Sequence, residues 1–466
     1  MLGCTEKTRK LNLYVYASAV AVNLTLLSSS TTVVWTSPVI PQLQSNDPDV
    51  NPLGKPITPL EESLIGGLPY IGGMIVPLMM GKLCDLIGRK RTLLLIILLH
   101  LVFFGILAFA KTLYLYYITR TILGGLFFYA LTVNNIYNSE IAEDSNRGII
   151  YSTIVLFHVS GFPYGYITGF YLPVKAYTLV CTVPMILSFI LILFVIPESP
   201  YYLAKTNETQ AAEVLRKLRN KDDVSKDLDV IKATIEAVSN SNKKANWGML
   251  LTDPLNRKAT LICFGAMFLQ EASGIPAIIA FSGPIFNSVG LSGNFVSVLL
   301  GMVRSFVGFI TIGLVGKCGK RLLMLVSTSG CAVAMLITGI YFYLENIGFQ
   351  GIESYVLIPV ICVILFMCSY GIGLGIGCVA LQGELFPDDM KNAGVSVVNI
   401  WGSFLCFAVT FGFPLIAYYL GMYWPFLLFG IVSASGIVFT YCFFPNTEGK
   451  SFLEIQETLR GNIRKS

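Results

Sequence analysis

Long apolar runs recur along this chain, each close to 20 residues and each bounded by charged or turn residues. A hydrocarbon core about 30 Å thick takes about 20 helical residues to cross, and within it every backbone N–H and C=O must be satisfied inside the segment. Twelve such runs lie near residues 11–36, 61–81, 92–110, 114–138, 149–170, 177–196, 259–282, 294–315, 322–343, 355–381, 393–415 and 424–444. Only 13% of the 466 residues are charged and 54% are hydrophobic, whereas soluble domains carry about 25% charged residues. The expectation is an all-α membrane protein with twelve transmembrane helices, not a water-soluble enzyme. The first run does not read as a cleaved leader, because no small-residue cleavage site follows a short apolar core and Lys7, Arg9 and Lys10 precede it.

The charges are distributed by side. With twelve spans, 27 of the 32 Lys and Arg fall in the two termini and the loops that share their side. Lys55, Lys111 and Lys175 lie on the other side, and Arg120 and Arg304 lie within spans. This asymmetry puts both termini in the cytoplasm, with the lipid bilayer of the cell membrane as the surrounding medium. The net charge of +5 is therefore topological and offers no nucleic-acid surface. Eleven scattered cysteines with no CxxC spacing exclude a disulfide framework and a structural zinc site, and no cofactor or metal is expected.

One hydrophilic insert interrupts the pattern. Residues 197–258 hold 11 basic and 9 acidic residues, and Thr209–Arg219 and Lys226–Val238 carry apolar residues at helical spacing (Ala212, Leu215, Leu218; Leu228, Ile231, Ile235). The reading is a cytoplasmic linker with short helices, between bundles at 1–196 and 259–444 and before a tail at 445–466. A calmodulin target is disfavoured, since the acidic residues offset the basic ones.

An internal repeat supports two halves. Asp85-Leu-Ile-Gly-Arg89-Lys90-Arg91 follows the second run, and Gly316-Lys-Cys-Gly319-Lys320-Arg321 follows the eighth. Glu140 stands seven residues before Arg147, as Glu384 stands seven before Lys391. Pro197-Glu198-Ser199-Pro200 closes the sixth run, and Pro445-Asn446-Thr447-Glu448 closes the twelfth. The common order and side of these matches fit pseudo-symmetric six-helix bundles related by an axis along the membrane normal. Acidic residues at span ends with basic residues in the next loop can pair when the cytoplasmic mouth is closed and separate when it opens. Asp85, Arg89, Glu140, Arg147, Glu198, Lys320, Arg321 and Glu384 are the candidates for that gate; ordinary interfacial anchoring is the alternative.

These motifs resemble the sugar porter family of the major facilitator superfamily, most closely its insect facilitated trehalose transporters. The resemblance spans essentially the whole chain. It rests on Gly81 to Arg91, Arg120-Thr-Ile-Leu-Gly124, Tyr137-Asn-Ser-Glu140 with Arg147-Gly148, Pro197 to Leu203, Pro445 to Ser451, and Thr36-Ser37-Pro38 at the end of the first run. It implies the major facilitator fold and facilitated diffusion of a sugar by alternating access around a central site. Proton-coupled members of the family have an acidic residue in the first span, and 11–36 contains none, which favours uniport.

The resemblance is weakest at the centre. Where sugar porters carry Gln-Gln-x-x-Gly-x-Asn in the seventh span, this chain reads Gln270-Glu271-Ala-Ser-Gly274-Ile-Pro276, then Ala280-Phe281. Arg304 stands at a usually polar neutral position, Ile376-Gly377-Cys378-Val379 replaces Pro-x-Pro-Trp, and Trp401 is retained after Ile400. Glu271 and Arg304 should lie at similar depth near the bilayer midplane, where a charge is a functional candidate. Three readings stand: a salt bridge lining the cavity, a substrate-binding pair that admits an anionic or zwitterionic solute, or a proton-coupled carboxylate held by arginine. His158 reads as a satisfied interior histidine rather than a proton relay. Gly72-Gly73, Gly124-Gly125, Gly161, Gly165 and the tenth-span Gly371, Gly373, Gly375 and Gly377 mark close packing or bending.

The expected function is transport of a small polar solute, a sugar such as trehalose or a hexose, bound through Gln270, Glu271, Arg304, Trp401, Asn399 and Ser403. A carrier of charged or amphiphilic metabolites and a non-transporting receptor on the same fold are the alternatives. No nucleophile–base pair supports an enzyme, and no selectivity filter supports a channel. The triplets Asn23-Leu-Thr25 and Asn207-Glu-Thr209 lie in a span and on the cytoplasmic side, so no N-glycan is expected.

Overall fold

The computed structural model describes residues 12–143, 145–244, 248–387, 390–445 and 454. Lys7, Arg9, Lys10 and the residues of the closing motif after Pro445 lie outside them. All regular structure among the described residues is helical.

The helices assemble into twelve spans. In chain order they are Leu13–Val34 continued by Thr36–Leu43, Pro59–Met80, Arg89–Ala108, Leu113–Ile141, Arg147–Tyr171, Val174–Val180 with Val183–Phe194, Pro254–Ala272 with Ile275–Ser288, Gly293–Cys318, Lys320–Asn346, Leu357–Ile372 with Leu374–Leu385, Lys391–Leu420 and Tyr423–Cys442. Ten are long and apolar enough to cross a membrane. The remaining two, the fourth and fifth, are 29 and 25 residues long, about 43 and 37 Å at 1.5 Å per residue. Their lower hydropathy comes from polar residues turned into the protein: Arg120, Asn134, Asn138 and Glu140 on the fourth are all buried.

Two spans break where the backbone needs glycine. The seventh is interrupted at Gly274, whose φ of +101° suits a residue without Cβ, and a Cβ there would lie 2.4 Å from the Phe429 ring. The tenth is interrupted at Gly373, where a Cβ would lie 2.3 Å from the Leu323 carbonyl oxygen. The tenth-span glycines therefore serve both expected purposes, bending at Gly373 and close packing at Gly371 against Val307.

Within the first half, small residues let backbones touch. A Cβ on Gly72 would lie 1.7 Å from the Thr121 carbonyl oxygen, and one on Gly124 would lie 2.1 Å from that of Pro69, so the second and fourth spans meet at glycines on both sides. A Cβ on Gly161 of the fifth span would lie 2.5 Å from the Leu27 carbonyl oxygen of the first.

The linker forms its own small core. Helices Glu208–Arg219 and Ser225–Lys244 bury Ala211, Leu215, Leu228 and Ile231 with Leu203 and Val224. Asn12 donates to the carbonyls of Lys217 and Leu218, and Arg219 donates to those of Ile141 and Ala142, which fastens this layer to the first half. Asn207 caps the first of these helices, while Asn23 is buried against Thr153 and Asn138.

The two halves meet where the second span packs on the eleventh and the fifth on the eighth. On the side away from the linker the seam is closed. Ser37 at the end of the first span shares hydroxyl contacts with Ser282 at 3.0 Å and Ser297 at 3.1 Å, and its oxygen accepts from the Gly283 N–H at 2.9 Å. Tyr166 donates to the Ile279 carbonyl at 2.7 Å across the same seam.

Gly72→Ala is expected to lower the apparent melting temperature of the detergent-purified protein by about 5 °C or more, because the new methyl must displace the Thr121 backbone. Gly105→Ala, where the added Cβ meets nothing within 4 Å, should leave it unchanged. Equal behaviour of the two in a fluorescence melt would contradict this packing.

Candidate functional site

The seventh-span helix ends at Ala272, so Gln270 and Glu271 occupy its last turn at the middle of the second half. Both are 8% exposed. Glu271 turns toward the eleventh span, where the Cys406 thiol donates to its Oε2 at 2.9 Å. The Gln270 Oε1 is buried without a donor. Trp401, lower on the eleventh span, donates from Nε1 to the Phe264 carbonyl at 3.2 Å and stacks on the Phe264 ring at 5.4 Å between centroids. It is half-buried, with its polar tip taken by the seventh span.

Arg304 does not join Glu271. No ion pair within 4.0 Å links them among the described residues, so the cavity-lining salt bridge is corrected. The helix break after Ala272 directs the Glu271 side chain to Cys406, while Arg304 turns to the seam between the halves. Its guanidinium carbon lies 4.7 Å from the Phe162 ring centroid, in the first half, and 5.6 Å from that of Tyr370, in the second. Neighbouring Ser305 donates to the Val159 carbonyl at 2.9 Å, which seats this stretch of the eighth span against the fifth. The Arg304 Nε is buried with no acceptor.

Asn399 and Ser403 lie about three and two helical turns below Thr410 on one face of the eleventh span. At Thr410 that face packs on Gly66 of the second span. Further down, Asn399 is exposed, whereas Ser403 is buried. His158 has Nδ1 2.9 Å from the Ser30 hydroxyl and its ring stacked on Phe127, the interior arrangement expected of it.

Arg120 is the other intramembrane arginine, and its donors are placed. It is 1% exposed, with Nη1 to the Thr32 carbonyl at 2.5 Å, Nη2 to the Thr36 hydroxyl at 2.8 Å, Nε to the Ile65 carbonyl at 3.2 Å, and its guanidinium 5.0 Å from the Trp35 ring. Every one of these partners is neutral.

The charged residues of the linker side form one cluster in each half. Arg89 begins the third span after Gly88, which has no side chain to cap it. Glu198 supplies the cap by accepting from the backbone N–H of Arg89 at 2.8 Å and of Lys90 at 3.0 Å, and its charge suits the positive end of the helix. The Arg89 side chain is bidentate on Glu140, from Nε to Oε2 at 2.9 Å and from Nη2 to Oε1 at 2.8 Å, and Asp85 lies 3.0 Å from Nη1. Ser199 donates to Glu140 as well. In the second half Lys320, which begins the ninth span, donates to Glu384 near the end of the tenth, while Arg321 donates to the Tyr441 carbonyl at 2.6 Å. Arg147 lines a cleft of about 460 Å³ between the first half and the linker helices, with Glu143, Arg219 and Lys221. The Arg89–Glu140 and Lys320–Glu384 pairs each lie within one half and are made while the far seam is closed.

Sequence reading missed Cys406, Phe162 and Tyr370 as partners of the central charges. Phe162 lies one helical turn beyond His158, and Cys406 three residues beyond Ser403. An aromatic or a thiol in an apolar span has no signal of its own, and only the helix rotations reveal them. Ser282 and Ser297 were missed for the same reason.

Residues 15–459 match the family model described as sugar (and other) transporter. Facilitated trehalose transporters of Culex quinquefasciatus and Polypedilum vanderplanki are 26% and 24% identical to this chain, covering 96% and 97% of it and 86% and 90% of their own lengths. Among solved structures, the xylose transporter of E. coli in its inward-open conformation superposes with a TM-score of 0.80 at 16% identity, over 95% of this chain and 99% of that one. Its partially occluded inward-open form gives 0.76 at 17% identity, over 94% and 100%. These structures share the fold.

The two charge clusters differ in burial, and so should their worth. The Arg89 and Glu140 side chains are 8% and 11% exposed, against 27% and 29% for Lys320 and Glu384. Arg89→Gln is expected to cost about 3 kcal/mol or more by stranding Glu140. Lys320→Gln should cost about 1 kcal/mol or less. Thermal melts of the purified variants rank the two, and a larger loss for Lys320→Gln would contradict the assignment.

Proposed function

Because this chain belongs to the sugar (and other) transporter family, we propose that it carries a sugar, trehalose or a hexose, across the cell membrane by facilitated diffusion. The linker and both termini lie in the cytoplasm, which makes this an inward-facing state. The observation that carries the reading is the closed outer seam: the halves join through Ser37, Ser282 and Ser297, all fully or almost fully buried, above the polar residues Gln270, Arg304, Ser403 and, nearer the linker side, Asn399. Three hydroxyls that can exchange partners form a contact that opens and closes at small cost, each neutral hydrogen bond being worth about 1 kcal/mol net. The polar groups below can bind hydroxyls of the solute in either state.

Alternating access then needs no chemistry. A solute that fits both states equally shifts neither, and net flux follows its gradient. No carboxylate is present in the first span to carry a coupled proton, and the buried Arg120 beside it is held by neutral groups. The Arg89–Glu140–Glu198 and Lys320–Glu384 clusters act as corner braces that keep each half rigid on the cytoplasmic side. Their gating role comes from regrouping with Arg147 and Arg321 when the halves close there.

In proteoliposomes the chain should take up radiolabelled trehalose or glucose saturably, with no response to an imposed proton gradient. Uptake that requires the gradient would overturn uniport, and none of either sugar from correctly folded protein would overturn the substrate class. Ser37→Cys with Ser297→Cys should cross-link on oxidation, since the native oxygens are 3.1 Å apart, and reduce transport about tenfold until a thiol reductant is added. Full activity of the cross-linked protein would contradict the outer gate.

A further inference from the structure

We propose that Arg304 is a specificity residue for an acidic group on the cargo, and that this carrier accepts a sugar acid bearing one carboxylate. The proposal rests on the central seam being the transport site and goes one step further, to the charge of what passes through it.

Arg304 combines three properties found together nowhere else among the described residues. It stands at mid-span in the eighth helix, partly exposed and with its Nε buried, at a depth where an unpaired charge costs several kcal/mol. It lies at the boundary of the two halves, held by rings from both: Phe162 at 4.7 Å and Tyr370 at 5.6 Å. It has no protein acceptor, with Nε buried and empty-handed and no carboxylate within 4.0 Å among the described residues. Aromatic faces supply part of the neutralisation and hold the guanidinium, but they leave its N–H donors unused.

The same protein shows what a structural arginine looks like at this depth. Arg120 is fully buried and places its donors on Thr32, Thr36 and Ile65. Had Arg304 been retained only for packing, acceptors of that kind would be expected around it. Glu271 is the one acidic residue near this depth of the second half among the described residues, and its Oε2 accepts from the Cys406 thiol and not from Arg304.

The group that completes Arg304 is planar and anionic with two acceptor oxygens, which describes a carboxylate. The guanidinium fork matches the two oxygens of a carboxylate, and one carboxylate balances the single charge of Arg304, which a doubly charged phosphate does not. The Gln270 carbonyl oxygen, beside Glu271 on the seventh span, is buried without a donor and suits a hydroxyl of the same solute.

The test uses the full chain in proteoliposomes with three labelled probes: D-glucose, D-glucuronate and glucose 6-phosphate. The expected result is saturable glucuronate uptake that competes with glucose and that a positive-inside potassium–valinomycin potential accelerates, because each turnover moves one negative charge. Glucose uptake should ignore the potential. Arg304→Gln should lower the ratio of glucuronate to glucose uptake about tenfold or more, and Arg304→Lys, which keeps the charge without the fork, should lower it less. Glucose uptake with neither transport of nor inhibition by glucuronate would overturn the proposal and leave the sugar carrier standing; a preference for glucose 6-phosphate, or an unchanged ratio in Arg304→Gln, would also overturn it. Failure of all three probes, and of trehalose beside them, would reject the carrier reading itself. The wild-type measurements decide the matter even where a variant fails to fold.

Discussion

A charged or hydrogen-bonding group carried to the middle of a bilayer must find its partner in the protein, in a hydrated path or in the cargo, since hydrocarbon offers none. The placement of polar residues in this chain follows from that constraint. The fourth span is long, rich in asparagine and less apolar than its neighbours, and it is tolerated because Asn134, Asn138 and Arg120 face other helices. Asn138 reaches Asn23 of the first span, and Asn23 reaches Thr153 of the fifth, so amides join three helices of the first half. Lipid drives helices together poorly, and these bonds with the glycine contacts at Gly72, Gly124 and Gly161 set the internal geometry of the half.

Rigidity within halves and looseness between them are two sides of one design. Backbone-to-backbone approach at glycines leaves no room for sliding, and a bidentate Arg89–Glu140 pair capped by Glu198 fixes the corner where the third, fourth and sixth spans meet the linker. The contacts between halves are of another kind. They are hydroxyls among Ser37, Ser282 and Ser297, a tyrosine on a carbonyl, and a cation over rings. Each can be exchanged for water or solute at little cost, which is what a rocking seam requires. The breaks at Gly274 and Gly373 sit in the two second-half spans that carry the largest departures from the family pattern.

Span number, span order and the linker helices were legible in the sequence, because hydropathy and helical period act over whole segments. In the linker pattern Leu215, Leu218, Leu228 and Ile231 are buried for the same reason, while Ala212 and Ile235 are half-buried beside them. Partners of single side chains were not legible. Depth along the membrane normal follows from counting residues, and Glu271 and Arg304 do lie in the middle of their spans. Rotation about the helix axis and the location of a helix end do not follow from counting. The end of the helix at Ala272 turned Glu271 to Cys406, and the rotation of the eighth span turned Arg304 to Phe162. Likewise the Pro197-Glu198-Ser199 motif signalled a charged corner, but not that Glu198 spends its oxygens on backbone N–H groups while Ser199 serves Glu140.

Three arginines show how far chemistry can be read from surroundings. Arg89 meets carboxylates at the edge of the membrane and is a brace: removing either partner strands a buried charge. Arg120 meets carbonyls, a hydroxyl and a ring deep inside one half, and its field is spread over neutral dipoles that cannot leave. Among the described residues, Arg304 meets the faces of two rings, one from each half, and so its environment changes whenever the halves move. A cation that is incompletely satisfied, and whose surroundings are the moving parts, lowers its energy most when a mobile anion arrives. Since that gain is available only while the anion is between the halves, it acts on the occupied carrier and not on the empty one. On the proposed assignment, a charge of this kind makes the seam a reader of the cargo's charge, beside neutral groups that would bind its hydroxyls.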